Sequence, residues 1–190
     1  MMNTWLSKAL VPSLLVSLSA CGVASVAPIV TNADAYFDAR LTGTWADSAG
    51  KESAHIEKAG DGYVIEYRDD EGKTGRFGAR LGRLGQLRVL DVQPDEPAPG
   101  ASGLYKSLLV RAHGLVVVDS IGVALVFRIV DGDSLKAFLK LEPRAVPHTT
   151  DNGMLLTGSS GEIRRFLASY VVRPGVLGEQ QVWPRRAAGR

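Results

Sequence analysis

Residues 63–84 read YVIEYRDDEGKTGRFGARLGRL, and this stretch decides the fold class. Tyr63, Ile65 and Tyr67 fall on one face of an extended chain, with Glu66 and Arg68 on the other. Beyond the turn DDEGK, where Asp70 and Gly72 are the turn formers, Phe77, Ala79 and Leu81 alternate with Arg76 and Arg80. Alternation with period two in both arms is the pattern of half-buried strands, and the polar turn joins them antiparallel.

The same pattern continues along the chain. QLRVLDV (86–92) is a further strand after the Leu84-Gly85 break, QPDEPAPGASG (93–103) a loop, and LYKSLLVRA (104–112) a strand again. HGLVVVDSIG (113–122) is apolar without alternation and fits either a strand or a loop covering an opening. VALVFRIV (123–130) and SLKAFLKLE (134–142), around DGD, read as a hairpin. In its second arm Leu135, Ala137, Leu139 and Leu141 face one way, Lys136, Lys140 and Glu142 the other, and Phe138 breaks the pattern. PRAVPHTTDNG (143–153) is a loop and MLLTG a short strand. One helix follows. Ser159 and Glu162 have the spacing of a capping box, and Ile163, Phe166, Leu167 and Tyr170 form one apolar stripe with Arg164 and Arg165 outside it. Residues 173–190, with two prolines and three glycines, read as an irregular tail. About eight or nine short strands and one C-terminal helix define a mainly β chain, an antiparallel barrel expected over residues 41–172.

The 190 residues carry 22 basic and 20 acidic side chains, a net charge of +2. The two signs are interleaved, which excludes a basic nucleic-acid footprint. A single cysteine excludes an internal disulfide and a multi-cysteine zinc site.

That cysteine, Cys21, closes a short N-terminal pattern. Lys8 is followed by the apolar run ALVPSLLVSL and then by Ser19 and Ala20, as in a signal peptide over residues 1–20. The run is too short for a transmembrane helix, and Pro12 interrupts it. LSAC (18–21) resembles the lipobox of bacterial lipoproteins. The resemblance implies cleavage before Cys21, acylation of its sulfur and a mature chain held on a membrane of the cell envelope. Gly22 at the next position implies the outer membrane, facing the periplasm. Residues 21–40, small and aperiodic, then read as a lipid-anchored tether.

Gly43-Thr44-Trp45 opens the first strand. A G-x-W there, followed by antiparallel strands and a late helix, resembles the calycin superfamily of lipocalin-like barrels. The resemblance implies that Gly43 and Trp45 close one end of the barrel. It also implies an arginine from a late strand against the tryptophan, and Arg128 and Arg144 are the candidates. The layout over 41–172 is also similar to small bacterial lipoproteins whose domain starts G-T-W and carries a hairpin such as DGDSLK; that likeness implies no activity.

No catalytic constellation appears. His55, His113 and His148 stand apart without metal-ligand spacing. GSSGE (158–162) departs from the nucleophile elbow at Glu162 and is explained by the helix cap. DGD lacks the rest of a calcium loop. Glu66, Asp69, Asp70 and Glu71 surround a solvated turn, and WPRRAAGR offers three arginines to an anionic lipid surface. The chain therefore reads as a non-enzyme without cofactor. Tyr63, Tyr67, Phe77 and Phe127, on inward faces, are expected to line a pocket for a small apolar or amphipathic ligand. The competing expectation is a filled barrel whose outer surface docks an envelope protein.

Overall fold

The computed structural model describes residues 22–95, 111–150 and 154–187. Residues 1–20 and Cys21, most of the loop 93–103 and most of the strand expected over 104–112 lie outside the described residues; Arg111 and Ala112 precede the next strand. No described helix is long and apolar enough to cross a membrane.

A meander of strands builds the wall. β2 (Gly43–Ala46), β3 (Ser53–Ala59), β4 (Gly62–Arg68), β5 (Thr74–Leu84), β6 (Leu87–Pro94), β7 (His113–Ile121) and β8 (Ala124–Ile129) each pair antiparallel with the next. The ring is completed by the last strand, β11 (Gln181–Arg186), which lies between β8 and β2 and pairs antiparallel with both. Eight strands therefore close into an antiparallel barrel with no free edge in the ring. The expected irregular tail is thus corrected: residues 181–186 are the strand that closes the wall. Hydrogen bonds and a bridge between residues 129–131 and 176–178 steer it alongside β8.

A second correction falls on the expected hairpin at DGD. Asp131 is a helix N-cap, its carboxylate accepting the Ser134 N–H at 2.7 Å, and α1 runs over Gly132–Leu141. Helical spacing resolves the misfit of Phe138. Leu135, Phe138 and Leu139 share the inner face, while Leu141, read as inward on a strand, is exposed. The second helix, α2 (Ser160–Tyr170), has the capping box in full, and its four stripe residues are all buried.

Two apolar cores result, one on each side of the wall. Inside lie Trp45, Ile56, Tyr63, Ile65, Leu81, Leu90, Val118, Phe127 and Trp183. Outside, Val89, Leu115 and Val117 meet Leu135 and Leu139 of α1 and Ile163, Phe166 and Leu167 of α2. β7 serves both cores: Leu115 and Val117 face the helices, Val116 and Val118 the lumen. Burial on both faces is why its sequence shows no alternation.

Residues 22–40 are the third correction. They are folded against the barrel rather than forming a tether. β1 (Ala24–Ser25) pairs with β7 and, in parallel, with β10 (Leu155–Leu156), which pairs with β9 (His148–Thr149). Val23, Ile29 and Val30 are buried. The Ile29 and Val30 N–H groups donate to one Asp91 oxygen at 2.8 and 2.9 Å, and Arg164 of α2 donates to the Ile29 carbonyl at 2.5 Å. Val30 rests on Gly82 of β5, where a Cβ would come within 2.5 Å of the valine. Small residues and side-chain clasps, rather than a ladder, hold this segment, so it carries no periodic signal.

Candidate ligand-binding cleft

Trp45 of β2 is packed into the inner core of the barrel. The indole is fully buried, and its N–H donates to the Leu41 carbonyl at 2.9 Å. The arginine against it is Arg185 of β11, the cross-strand partner of Trp45, with its guanidinium 4.1 Å from the ring centre. Arg185 also donates to the carbonyls of Thr42 and Arg40 at 2.7 and 2.5 Å. Gly43 sits at φ 125°, and a Cβ there would lie 2.4 Å from the Arg185 guanidinium. Neither expected arginine is at this place. Arg128 is paired with Asp119 at 2.7 Å, and Arg144 lines a groove between the helices. Arg185 was not legible as the partner while its segment read as a tail. Two of the arginines expected to meet lipid are thus engaged, since Arg186 donates to the Asp47 carbonyl at 2.8 Å.

The four expected ligand-binding residues all belong to the inner core: Tyr63 and Phe127 are buried in it, and Tyr67 and Phe77 pack against it. Tyr63 and Tyr67 lie at opposite ends of β4. Tyr63 is buried and stacks on Phe37, with ring centres 5.3 Å apart. Its hydroxyl accepts the Asp38 N–H at 2.7 Å and faces the Asp38 carbonyl at 3.2 Å, and burial pushes its pKa up. Tyr67 and Phe127 flank Trp183, at 6.4 and 5.3 Å between ring centres. Trp183 thus occupies the lumen where a ligand was expected. Its indole N–H is buried without a hydrogen-bond partner among the described residues. The Tyr67 hydroxyl donates to buried Glu52 at 3.1 Å. Phe77 is half-buried opposite Pro94 on β6.

The space that does open lies on the outer wall. β5 outruns β4: their pairing ends at Tyr63↔Ala79, and beyond it the Tyr36 N–H donates to the Leu81 carbonyl at 2.9 Å. Between the β3–β4 turn and the segment around Tyr36 and Phe37 is a cleft of about 590 Å³. Its walls combine Tyr36, Phe37 and Val64 with Lys58 and Arg80, and Asp91 and His113 are at its base.

The charges of this cleft are arranged unequally. Asp91 and His113 are buried, and the carboxylate meets His113 Nδ1 at 2.8 Å while its other oxygen holds the two N–H groups of residues 29 and 30. Both carboxylate oxygens are therefore engaged. Arg80 is the register partner of Asp91 on the neighbouring strand, yet forms no ion pair among the described residues although it is half-buried. Lys58 lies over the Phe37 ring, 4.9 Å from its centre. Asp61 also lines the cleft. A half-buried guanidinium with no ion pair among the described residues, beside an aromatic wall, is suited to an anionic group carried on an apolar body.

A second recess, about 660 Å³, lies on the β2–β5 wall and is lined by Thr44, His55, Glu66 and Arg68. There the Thr44 hydroxyl meets His55 at 2.8 Å and the ring meets Glu57 at 3.1 Å, but His55 and Glu57 are 45% and 69% exposed. The first is a cross-strand pair and the second joins neighbours along one face of β3, and both are open to solvent. No group of three or more metal-ligating side chains occurs among the described residues.

In the sequence His113 is an isolated histidine, and Lys58 and Asp91 belong to no motif. Their spatial grouping depends on the pairing of β3 through β7, which no local pattern specifies. Comparison with family models, curated proteins and solved structures finds no match for this chain.

Proposed function

We propose that this chain is a lipid-anchored, non-catalytic binding module of the bacterial cell envelope. Its ligand is a small amphipathic molecule held in the outer-wall cleft rather than inside the barrel. The observation that carries the reading is Arg80, half-buried and without an ion pair among the described residues, in a cleft that also presents Tyr36, Phe37 and Val64. The volume, about 590 Å³, is within the range of small-molecule sites. The address, an anchor at Cys21 on the periplasmic side of the outer membrane, rests on the LSAC run.

Native mass spectrometry of the chain purified from its own host tests the site. The expected result is a bound species that is lost in Arg80→Gln and in Val64→Trp, which fills the cleft. Apo protein alone, or a bound species unchanged in both variants, would overturn the reading. The anchor has its own test: Cys21→Ser abolishes incorporation of labelled palmitate, and labelling that persists refutes the anchor. A second reading, a filled barrel docking an envelope protein, is favoured by one observation, the occupation of the lumen by Trp183 between Tyr67 and Phe127. Intact binding of a protein partner by the Val64→Trp variant would support it.

A further inference from the structure

The helical layer carries a feature that neither the cleft nor the barrel uses. Between α1 and α2 runs a groove of about 350 Å³, lined by Phe138, Phe166, Glu162, Arg144, Arg165 and Arg173. None of the three arginines forms an ion pair among the described residues. The carboxylate among the described residues that line the groove, Glu162, serves the helix cap through one oxygen and lies near Arg165. Glu162 accepts the Ser159 N–H and hydroxyl at 2.9 and 2.7 Å, and these bonds hold its pKa below the usual range. Arg173 lies over the Phe138 ring, 4.6 Å from its centre, which fixes that guanidinium at the groove.

Apolar side chains flank the same place. Leu141 stands one helical step beyond Phe138 and is 82% exposed; Val172 precedes Arg173 and is 67% exposed. Exposed large aliphatic side chains beside arginines with no ion pair among the described residues make an interfacial surface. The cations suit phosphate groups, and the aliphatic tips suit the boundary beneath them. A soluble anion would use the arginines but leave Leu141 and Val172 in water. We infer that this end of the helical layer lies against an anionic lipid bilayer, with Arg144, Arg165 and Arg173 on headgroup phosphates and Leu141 and Val172 entering the interface.

The test uses the chain from Gly22, which carries every described element and has no acyl group. Flotation with vesicles of phosphatidylcholine alone, and with a third of the lipid replaced by phosphatidylglycerol, reads the binding. The chain is expected on the anionic vesicles only, and less so at high salt. Each basic residue at such a surface is worth roughly fivefold, so Arg144→Gln, Arg165→Gln and Arg173→Gln together lower the partition coefficient about a hundredfold. Leu141→Asp with Val172→Asp lowers it as well. Val123→Asp, at a 93% exposed position in the β7–β8 turn, leaves it unchanged. Far-ultraviolet circular dichroism of each variant confirms folding. Equal flotation with neutral vesicles, or binding unaltered in the triple variant, would overturn the inference. So would binding of free glycerol phosphate with no flotation.

Discussion

Replacing Asp91 by alanine should release the N-terminal segment before it unfolds the barrel. The carboxylate holds the N–H groups of Ile29 and Val30 at 2.8 and 2.9 Å and His113 at 2.8 Å, all buried. Hydrogen bonds to a charged group contribute about 1.5–3 kcal/mol each, so losing the two N–H bonds of residues 29 and 30 costs about 3–6 kcal/mol. At roughly 2–4 °C per kcal/mol for a chain of this size, Asp91→Ala lowers Tm by about 10 °C. Asp91→Asn keeps an acceptor for the two N–H groups and loses the charge, so its fall is about half as large. Hydrogen exchange resolved to single amides adds the location. In Asp91→Ala, amides 29 and 30 exchange at nearly the rate of an open chain while those of β7 stay protected. Because residues 32–37 form one wall of the cleft, ligand retention falls in parallel. A Tm within a degree or two of wild type, or undiminished protection at 29 and 30, would refute the clasp.

Three further outcomes follow from the packing. Trp45→Phe destabilises more than Trp183→Phe by about 1–2 kcal/mol in urea unfolding, because the Trp45 N–H has a carbonyl partner and the Trp183 N–H has none among the described residues. Equal losses would contradict the assignment. Gly82→Val forces Val30 off β5 and makes residues 22–36 susceptible to limited proteolysis while the barrel persists; resistance equal to wild type would argue against that contact. Glu52 is buried, which raises its carboxyl pKa more than the bond from Tyr67 lowers it. The folded state then binds the proton more tightly than the unfolded one. Stability is therefore greatest below the ordinary glutamate range and falls as pH rises through the raised value. Glu52→Gln should raise Tm at pH 7 and bring no gain at pH 3. A pH profile parallel to wild type would remove Glu52 as the cause.

Strands exposed on one face declared themselves in the sequence. Tyr63, Ile65 and Tyr67, and then Phe77, Ala79 and Leu81, alternate because their neighbours face water. Ser159 and Glu162 marked α2 because a capping box is a local device. What failed was non-local. Leu135 and Leu139 satisfy a period of two as well as a helical spacing of four, and the cap at Asp131 and the misfit of Phe138 separate the two. The β11 strand lacks a clean apolar face and carries Pro184, so its role depends on the gap between β8 and β2 that it fills. The cleft was least legible of all. Lys58, Arg80, Asp91 and His113 come from four strands, and nothing but register brings them together.

The position of β11 also sets a clock on biogenesis. Until residue 186 has emerged, β2 and β8 present unpaired edges and the ring cannot close. The contacts that finish the wall join residues separated by about 140 positions, as Arg185 and Thr42 do, so completion is slow and comes last. A chain that stalls before β11 is made would display two sticky strand edges to proteases and chaperones.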